Sequence, residues 1–90
     1  MNNNSVINAF ICGKAANSSN RNLCSYGNKL VSYYTTIAQR LTNGIVVLNR
    51  TKYSVSTSKI QMQLYRTVSG STIEVTNVPL GATDLTRYIK

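Results

Sequence analysis

Histidine is absent from this chain of 90 residues, and only two carboxylates, Glu74 and Asp84, stand against ten lysines and arginines. Acid–base, nucleophilic and metal-assisted chemistry near neutral pH draws on His, or on clustered Asp and Glu, as proton carriers and ligands. Neither kind of cluster can be assembled from this inventory, so no catalytic residue, metal site or cofactor is expected. The two cysteines, Cys12 and Cys24, do not fill the gap. Two thiolates leave zinc coordination incomplete, and without histidine a cysteine nucleophile lacks its usual activating base. Long apolar runs are missing too. The stretch from Val6 to Cys12 is broken by Asn8 and falls far short of the roughly 20 residues that span a bilayer. Met1-Asn2-Asn3-Asn4-Ser5 lacks the basic start of a signal peptide. The expectation is a non-enzymatic cytoplasmic protein with two free thiols and no membrane partner.

What is present in excess is positive charge. A net charge of +8 favours polyanionic partners through a long-range electrostatic term. Residues 1–90 make one domain, since two would each fall below the size that supports a core. The 42% of hydrophobic residues is rich in Val, Ile, Leu and Tyr, which separates the chain from a disordered basic tail. A domain this small has a stability on the order of 5 kcal/mol, which assembly into a homodimer would raise.

The pattern along the chain predicts an α+β fold: a small antiparallel sheet with two or three short helices. Val6, Ile7, Phe10 and Ile11 recur at helical spacing, so a helix starts near Ser5 and stops at Gly13. Residues 16–28, rich in Asn and Ser, read as an irregular loop. Residues 30–41 fit both periods, but their β-branched and aromatic content favours a strand. Asn43-Gly44 offers two positive-φ positions, and Ile45-Val46-Val47-Leu48 follows, so 30–41 and 45–49 form a hairpin turning at Asn43-Gly44. Tyr53-Ser54-Val55 reads as a third short strand. Ser58 with Gln61 forms a capping box for a helix that buries Ile60, Leu64 and Val68 and leaves Lys59, Gln63 and Arg66 wet. Thr72 to Thr76 alternates as a strand closed by Pro79. Thr83 caps a final turn, with Asp84 at its positive end and Leu85, Tyr88 and Ile89 packing it down.

Two segments carry a resemblance. Ser32-Tyr33-Tyr34-Thr35-Thr36-Ile37-Ala38 and Asn49-Arg50-Thr51-Lys52-Tyr53-Ser54-Val55-Ser56-Thr57-Ser58-Lys59, with Phe10, Gly13 and Lys14 upstream, resemble a small domain family of phage and mobile-element proteins of Gram-positive bacteria. Ser56 stands where the family pattern has threonine, and the tail from Thr67 has no counterpart in it. The family brings no activity. The resemblance implies an accessory protein acting in the cytoplasm of a bacterial host. Such proteins bind nucleic acid, or bind and disable a host defence protein, as anti-CRISPR and other anti-nuclease proteins do.

The candidate binding residues are Arg50, Lys52, Tyr53, Lys59, Gln63 and Arg66. Arg50 and Lys52 share one face of an extended segment, and Lys59, Gln63 and Arg66 share one face of the next helix. Brought together, the four cations would hold phosphates while glutamine reads base edges and tyrosine stacks on bases. The plain alternative is a solvated basic face. The hydroxyl-rich run Thr51 to Lys59 is open to two readings, an anion site at a helix start or ordinary capping. Tyr33-Tyr34 on a strand would send one ring to the core and one to solvent, open to stacking or to a protein contact. The expected partners are DNA or RNA, or a host nucleoprotein effector.

Overall fold

A computed structural model of the chain describes residues 2–19, 22–68 and 70–89. Helix α1 (Asn3–Ile11) is followed by strands β1 (Ala15–Asn17), β2 (Leu23–Tyr26), β3 (Lys29–Ser32), β4 (Thr35–Arg40) and β5 (Val46–Asn49). Helix α2 (Val55–Thr67), strand β6 (Thr72–Val75) and a 3-10 turn (Thr86–Tyr88) complete the order. The strands form one six-stranded sheet in sequence order. The first five pair antiparallel, but β6 joins β5 in parallel, with Val46 opposite Thr72 and Asn49 opposite Val75. The fold is α+β as expected, and the sheet is mixed rather than antiparallel. The reason lies in α2: a helix between two strands carries the chain back to the end from which it came.

Helix α1 begins where the Asn2 side chain accepts the Ser5 N–H at 2.8 Å. It ends at Gly13, whose φ of +75° lets Lys14 N–H reach Ala9 O and Gly13 N–H reach Phe10 O. Arg40 completes this end from the sheet. Its guanidinium donates to Phe10 O, Ile11 O and Gly27 O and lies 4.8 Å from the centre of the Phe10 ring. Val6, Ile7 and Phe10 are fully buried against Leu23, Leu30, Ala38, Leu48, Ile60 and Leu64, so both helices cover one face of the sheet. The opposite face buries Val47 against Val75, Val78 and Leu85 of the C-terminal segment. β5 is thus buried on both sides, with Val46 and Leu48 facing the helices and Val47 facing the tail.

A bulge adjusts β4 to these two cores. Leu30 pairs with Ala38 and Val31 with Thr36, leaving Ile37 without a partner opposite. Ile37 and its neighbour Ala38 can therefore both join the helix-side core. Beyond the bulge, Gln39 turns to the C-terminal segment, accepting Leu85 N–H and donating to Asp84 Oδ1.

Several expectations are corrected. The expected irregular loop over 16–28, of which 20 and 21 lie outside the described residues, instead holds the end of β1, all of β2 and a tight Gly27-Asn28 turn; Leu23 and Ser25 alternate inward, a pattern too short to stand out against the polar residues around it. The hairpin between β4 and β5 is present, but Gly44 alone of Asn43-Gly44 has positive φ. Gly44 N–H donates to Leu41 O and Leu41 N–H to Ile45 O, the pattern of a three-residue loop closed by a glycine bulge. The span 30–41 is two strands, not one, because the chain reverses at Tyr33-Tyr34. Tyr53-Ser54-Val55 is not a strand: β6 takes the place beside β5, and Ser54 caps α2 by accepting Thr57 N–H at 3.2 Å. Ser58 therefore lies inside the helix, and Gln61 is buried instead of closing a capping box. Thr83 does not cap the last turn. Asp84 Oδ1 accepts both the N–H and the hydroxyl of Thr86, and these bonds hold its carboxyl below the usual carboxylate range.

The Tyr33-Tyr34 turn contradicts the two-faced strand expected there. Ser32 pairs with Thr35, so the two tyrosines form the whole loop, and both have positive φ, +48° and +69°. Two left-handed central residues define the type I′ hairpin turn, whose natural occupants are Asn and Gly. A residue with a Cβ costs about 1–2 kcal/mol in that conformation. Neither ring enters the core: Tyr33 is 48% exposed and Tyr34 88%. Directly beneath, Ser32 Oγ is buried with no hydrogen-bond partner, alone in this among the described residues.

Candidate functional site

Asn49, at the end of β5, organises the surface beyond it. Fully buried, it donates from Nδ2 to Thr36 O and to the Tyr53 hydroxyl, and its Oδ1 accepts Thr51 N–H. Its backbone carbonyl accepts from Gln61 Nε2 at 2.7 Å and from the Tyr65 hydroxyl at 2.6 Å. Gln61 also donates to Thr51 O, and the Tyr53 hydroxyl donates to Val78 O. Residues 50–54 have no regular structure of their own, so these bonds are what fix the segment against α2. A shaped surface results where a loose connector would otherwise lie.

Three adjoining concavities lie along α2 and this segment. One, of about 510 Å³, is bordered by Lys52, Tyr53, Lys59, Met62, Gln63 and Arg66. A second, of about 470 Å³, shares Lys52 and Tyr53 and adds Tyr33 and Leu80. A third, of about 530 Å³, runs from Lys59 and Gln63 past Tyr33 to Asn3 and Asn22. Lys52, Lys59 and Tyr33 each border two of the three. Five of the six expected binding residues thus meet around one groove.

Arg50 is the exception, held to one side. Its guanidinium lies 4.2 Å from the centre of the Tyr65 ring and 3.9 Å from Glu74 Oε1. The Arg50–Glu74 pair is half-exposed on both sides and contributes at most about 1 kcal/mol. Arg50 borders a separate hollow of about 250 Å³ shared with Lys52, Met62 and Tyr65. Burial pushes the Tyr65 hydroxyl up to about 12, against the lowering effect of Arg50.

The electrostatics of the groove follow from where the two acids are used. Glu74 faces Arg50, and Asp84 is bonded to Gln39 and Thr86 on the other face of the sheet. Lys52, Lys59 and Arg66 are exposed, and among the described residues none of them has an ion pair. Three unneutralised cations on one concave surface are an anion-holding arrangement. The groove also carries apolar side chains: Val55, Met62 and Leu80 are exposed along its rim. Among the described residues no three of His, Cys, Asp or Glu group together as metal ligands do. Cys12 and Cys24 are not joined by a disulfide and border none of the three concavities. No helix of the described residues is long and apolar enough to cross a membrane.

Sequence reasoning missed Tyr33 and Leu80 as groove residues and Asn49 as the organiser. Leu80 follows the lone proline in a segment with no periodic pattern. Asn49 stands at a strand end, where asparagine is commonly a turn residue. For Tyr33-Tyr34 the sequence offered one exposed ring open to stacking or a protein contact; that both are exposed and that Tyr33 meets the groove follows from the loop at 33–34, and the residue types argue against such a turn. Compared with protein-family models, curated proteins and solved structures, the chain matches none.

Proposed function

We propose that this chain is a small basic non-enzymatic binding protein that holds nucleic acid in the groove along α2, as an accessory protein of a phage or mobile element. The observation that carries the reading is the convergence of Lys52, Lys59 and Arg66, without ion-pair partners among the described residues, on a surface also lined by Tyr53 and Gln63. Cations neutralise phosphates and release their counterions, which supplies most of the affinity. Tyr53 offers its ring to the groove but not its hydroxyl, which is bonded to Val78 O and Asn49. Gln63, exposed on the α2 face that carries Lys59 and Arg66, can donate and accept at a base edge.

The test is binding of a labelled oligonucleotide followed by anisotropy. Changing Lys52 and Arg66 together to alanine should weaken binding at low salt and flatten the dependence of log affinity on log salt by about 1–1.5 on single strands. Both side chains are exposed, so the fold and its melting temperature should be unaffected. An unchanged slope would rule out the groove as the binding site.

A second reading has its own observation. Val55, Met62 and Leu80 form an apolar component that phosphate recognition does not require. It suits contact with a host protein, such as a defence nuclease or other nucleoprotein effector, at an acidic surface. Capture of a host protein that survives nuclease treatment, and that competes with no oligonucleotide, would favour this inhibitor reading.

A further inference from the structure

We propose that the Tyr33-Tyr34 turn is a base-stacking platform and that it makes the groove selective for single-stranded nucleic acid. This rests on the nucleic-acid reading above and narrows it. The turn needs two left-handed residues, and the chain fills it with two tyrosines at φ +48° and +69°. Elsewhere the same chain places glycine at its left-handed hairpin positions, at Gly27 and Gly44. The tyrosines are therefore not there to make the turn. They do not serve the core either, being 48% and 88% exposed.

What the turn does is bring Tyr33 to the border of the basic groove, with Tyr34 next to it in the chain. Tyr33 lines one concavity with Lys59 and Gln63, and another with Lys52 and Tyr53. Its N–H donates to Asn22 O at 3.0 Å, and its hydroxyl accepts from Asn22 Nδ2 at 3.1 Å, so the ring is held ready. A preset ring loses little freedom when a ligand arrives. Beside it, Tyr34 presents nearly its whole ring to solvent. A single strand can lay its backbone on Lys52, Lys59 and Arg66 and turn unpaired bases onto these rings. A duplex can use the cations alone, because its bases are already stacked on one another.

The experiment replaces the pair by the residues the turn prefers. Tyr33→Asn/Tyr34→Gly should raise the melting temperature by about 5–10 °C, because left-handed strain is removed. The same variant should bind a labelled single strand roughly tenfold to a hundredfold more weakly. Its affinity for a duplex of the same sequence should change by less than about twofold. Tyr33→Phe/Tyr34→Phe keeps both rings and should hold single-strand affinity within about threefold of the parent. Unchanged single-strand affinity in the Asn–Gly variant would overturn the platform while leaving the cationic groove in place. A lower melting temperature in that variant would overturn it as well, by showing that the rings serve the fold. If the parent protein binds neither strand form at low salt, the nucleic-acid reading itself fails, and the platform with it.

Discussion

Two neighbouring turns of this sheet solve the same steric problem in opposite ways. Between β2 and β3 the chain reverses over Gly27-Asn28, with positive φ only at the glycine, +90°. Between β3 and β4 it reverses over Tyr33-Tyr34, with positive φ at both. At the first turn residue type and conformation agree: a Cβ on Gly27 would sit 3.2 Å from Gly13 O, so the site demands glycine twice over. At the second they disagree, and the disagreement is compounded by the orphan hydroxyl of Ser32 beneath. The first turn is built for the fold. The second is a place where stability is given up, and it borders the basic groove. Conflict between local propensity and the adopted structure is concentrated at functional sites.

The largest effect on this comparison should come from the turn that obeys the rule. Gly27→Ala should destabilise the domain by about 1–3 kcal/mol, measured by urea unfolding, through left-handed strain and the contact with Gly13 O. Against a total stability on the order of 5 kcal/mol, that loss is large. A cost near zero would mean that the turn relaxes easily, and the contrast with Tyr33-Tyr34 would lose its meaning.

Ser32→Ala sharpens the other side of the comparison. Removing a buried hydroxyl that makes no hydrogen bond should leave stability unchanged or raise it by about 0.5–1 kcal/mol. Destabilisation of similar size would show that the hydroxyl has a partner in solution and that the turn is less strained than it looks.

A pH-dependent effect separates displayed tyrosines from engaged ones. Tyr65 donates its hydroxyl to Asn49 O, and its pKa in the folded protein is raised to about 12 from an ordinary value of 10.0. Between those two values the unfolded chain gives up this proton and the folded protein retains it. The unfolded state then binds fewer protons, so stability falls as pH rises through this window. Tyr65→Phe should unfold more easily at neutral pH and should show a shallower decline from pH 10 to 12, followed by far-UV circular dichroism. An equal decline in both proteins would assign the alkaline loss to other groups.

The sequence showed its helices more plainly than its sheet. Val6, Ile7 and Phe10, and then Ile60 and Leu64, are spaced for one buried face each, and that period survives without tertiary information. The exposed face of α2, with Lys59, Gln63 and Arg66, followed from the same spacing. β1 and β2 were hidden because three- and four-residue strands give too few alternations to register. The parallel placement of β6 was not visible, because its own Thr-Ile-Glu-Val alternation suits either direction; the helix before it decides. Ser54 and Ser58 are both followed by helix-compatible residues, and only the hold of Asn49 and Thr51 on Gln61 selects the earlier cap. The six proposed binding residues came from charge and spacing, and five border one groove. Arg50 was drawn away by Tyr65 and Glu74, distant contacts that spacing does not encode.

The central claim is that the groove combines phosphate-holding cations with base-stacking rings, and the affinity of the parent protein as a function of salt tests it most directly. Titrating one oligonucleotide, as a single strand and as a duplex, from about 50 to 200 mM salt should give a log–log slope of about −2 to −3 for the single strand and about −3 to −3.5 for the duplex, from three or four phosphate contacts. Extrapolated to 1 M salt, where the counterion contribution vanishes, the single strand should keep a residual affinity from stacking, and the duplex should keep essentially none. Equal residual affinity for the two forms, or no binding to either at 50 mM salt, would contradict the account.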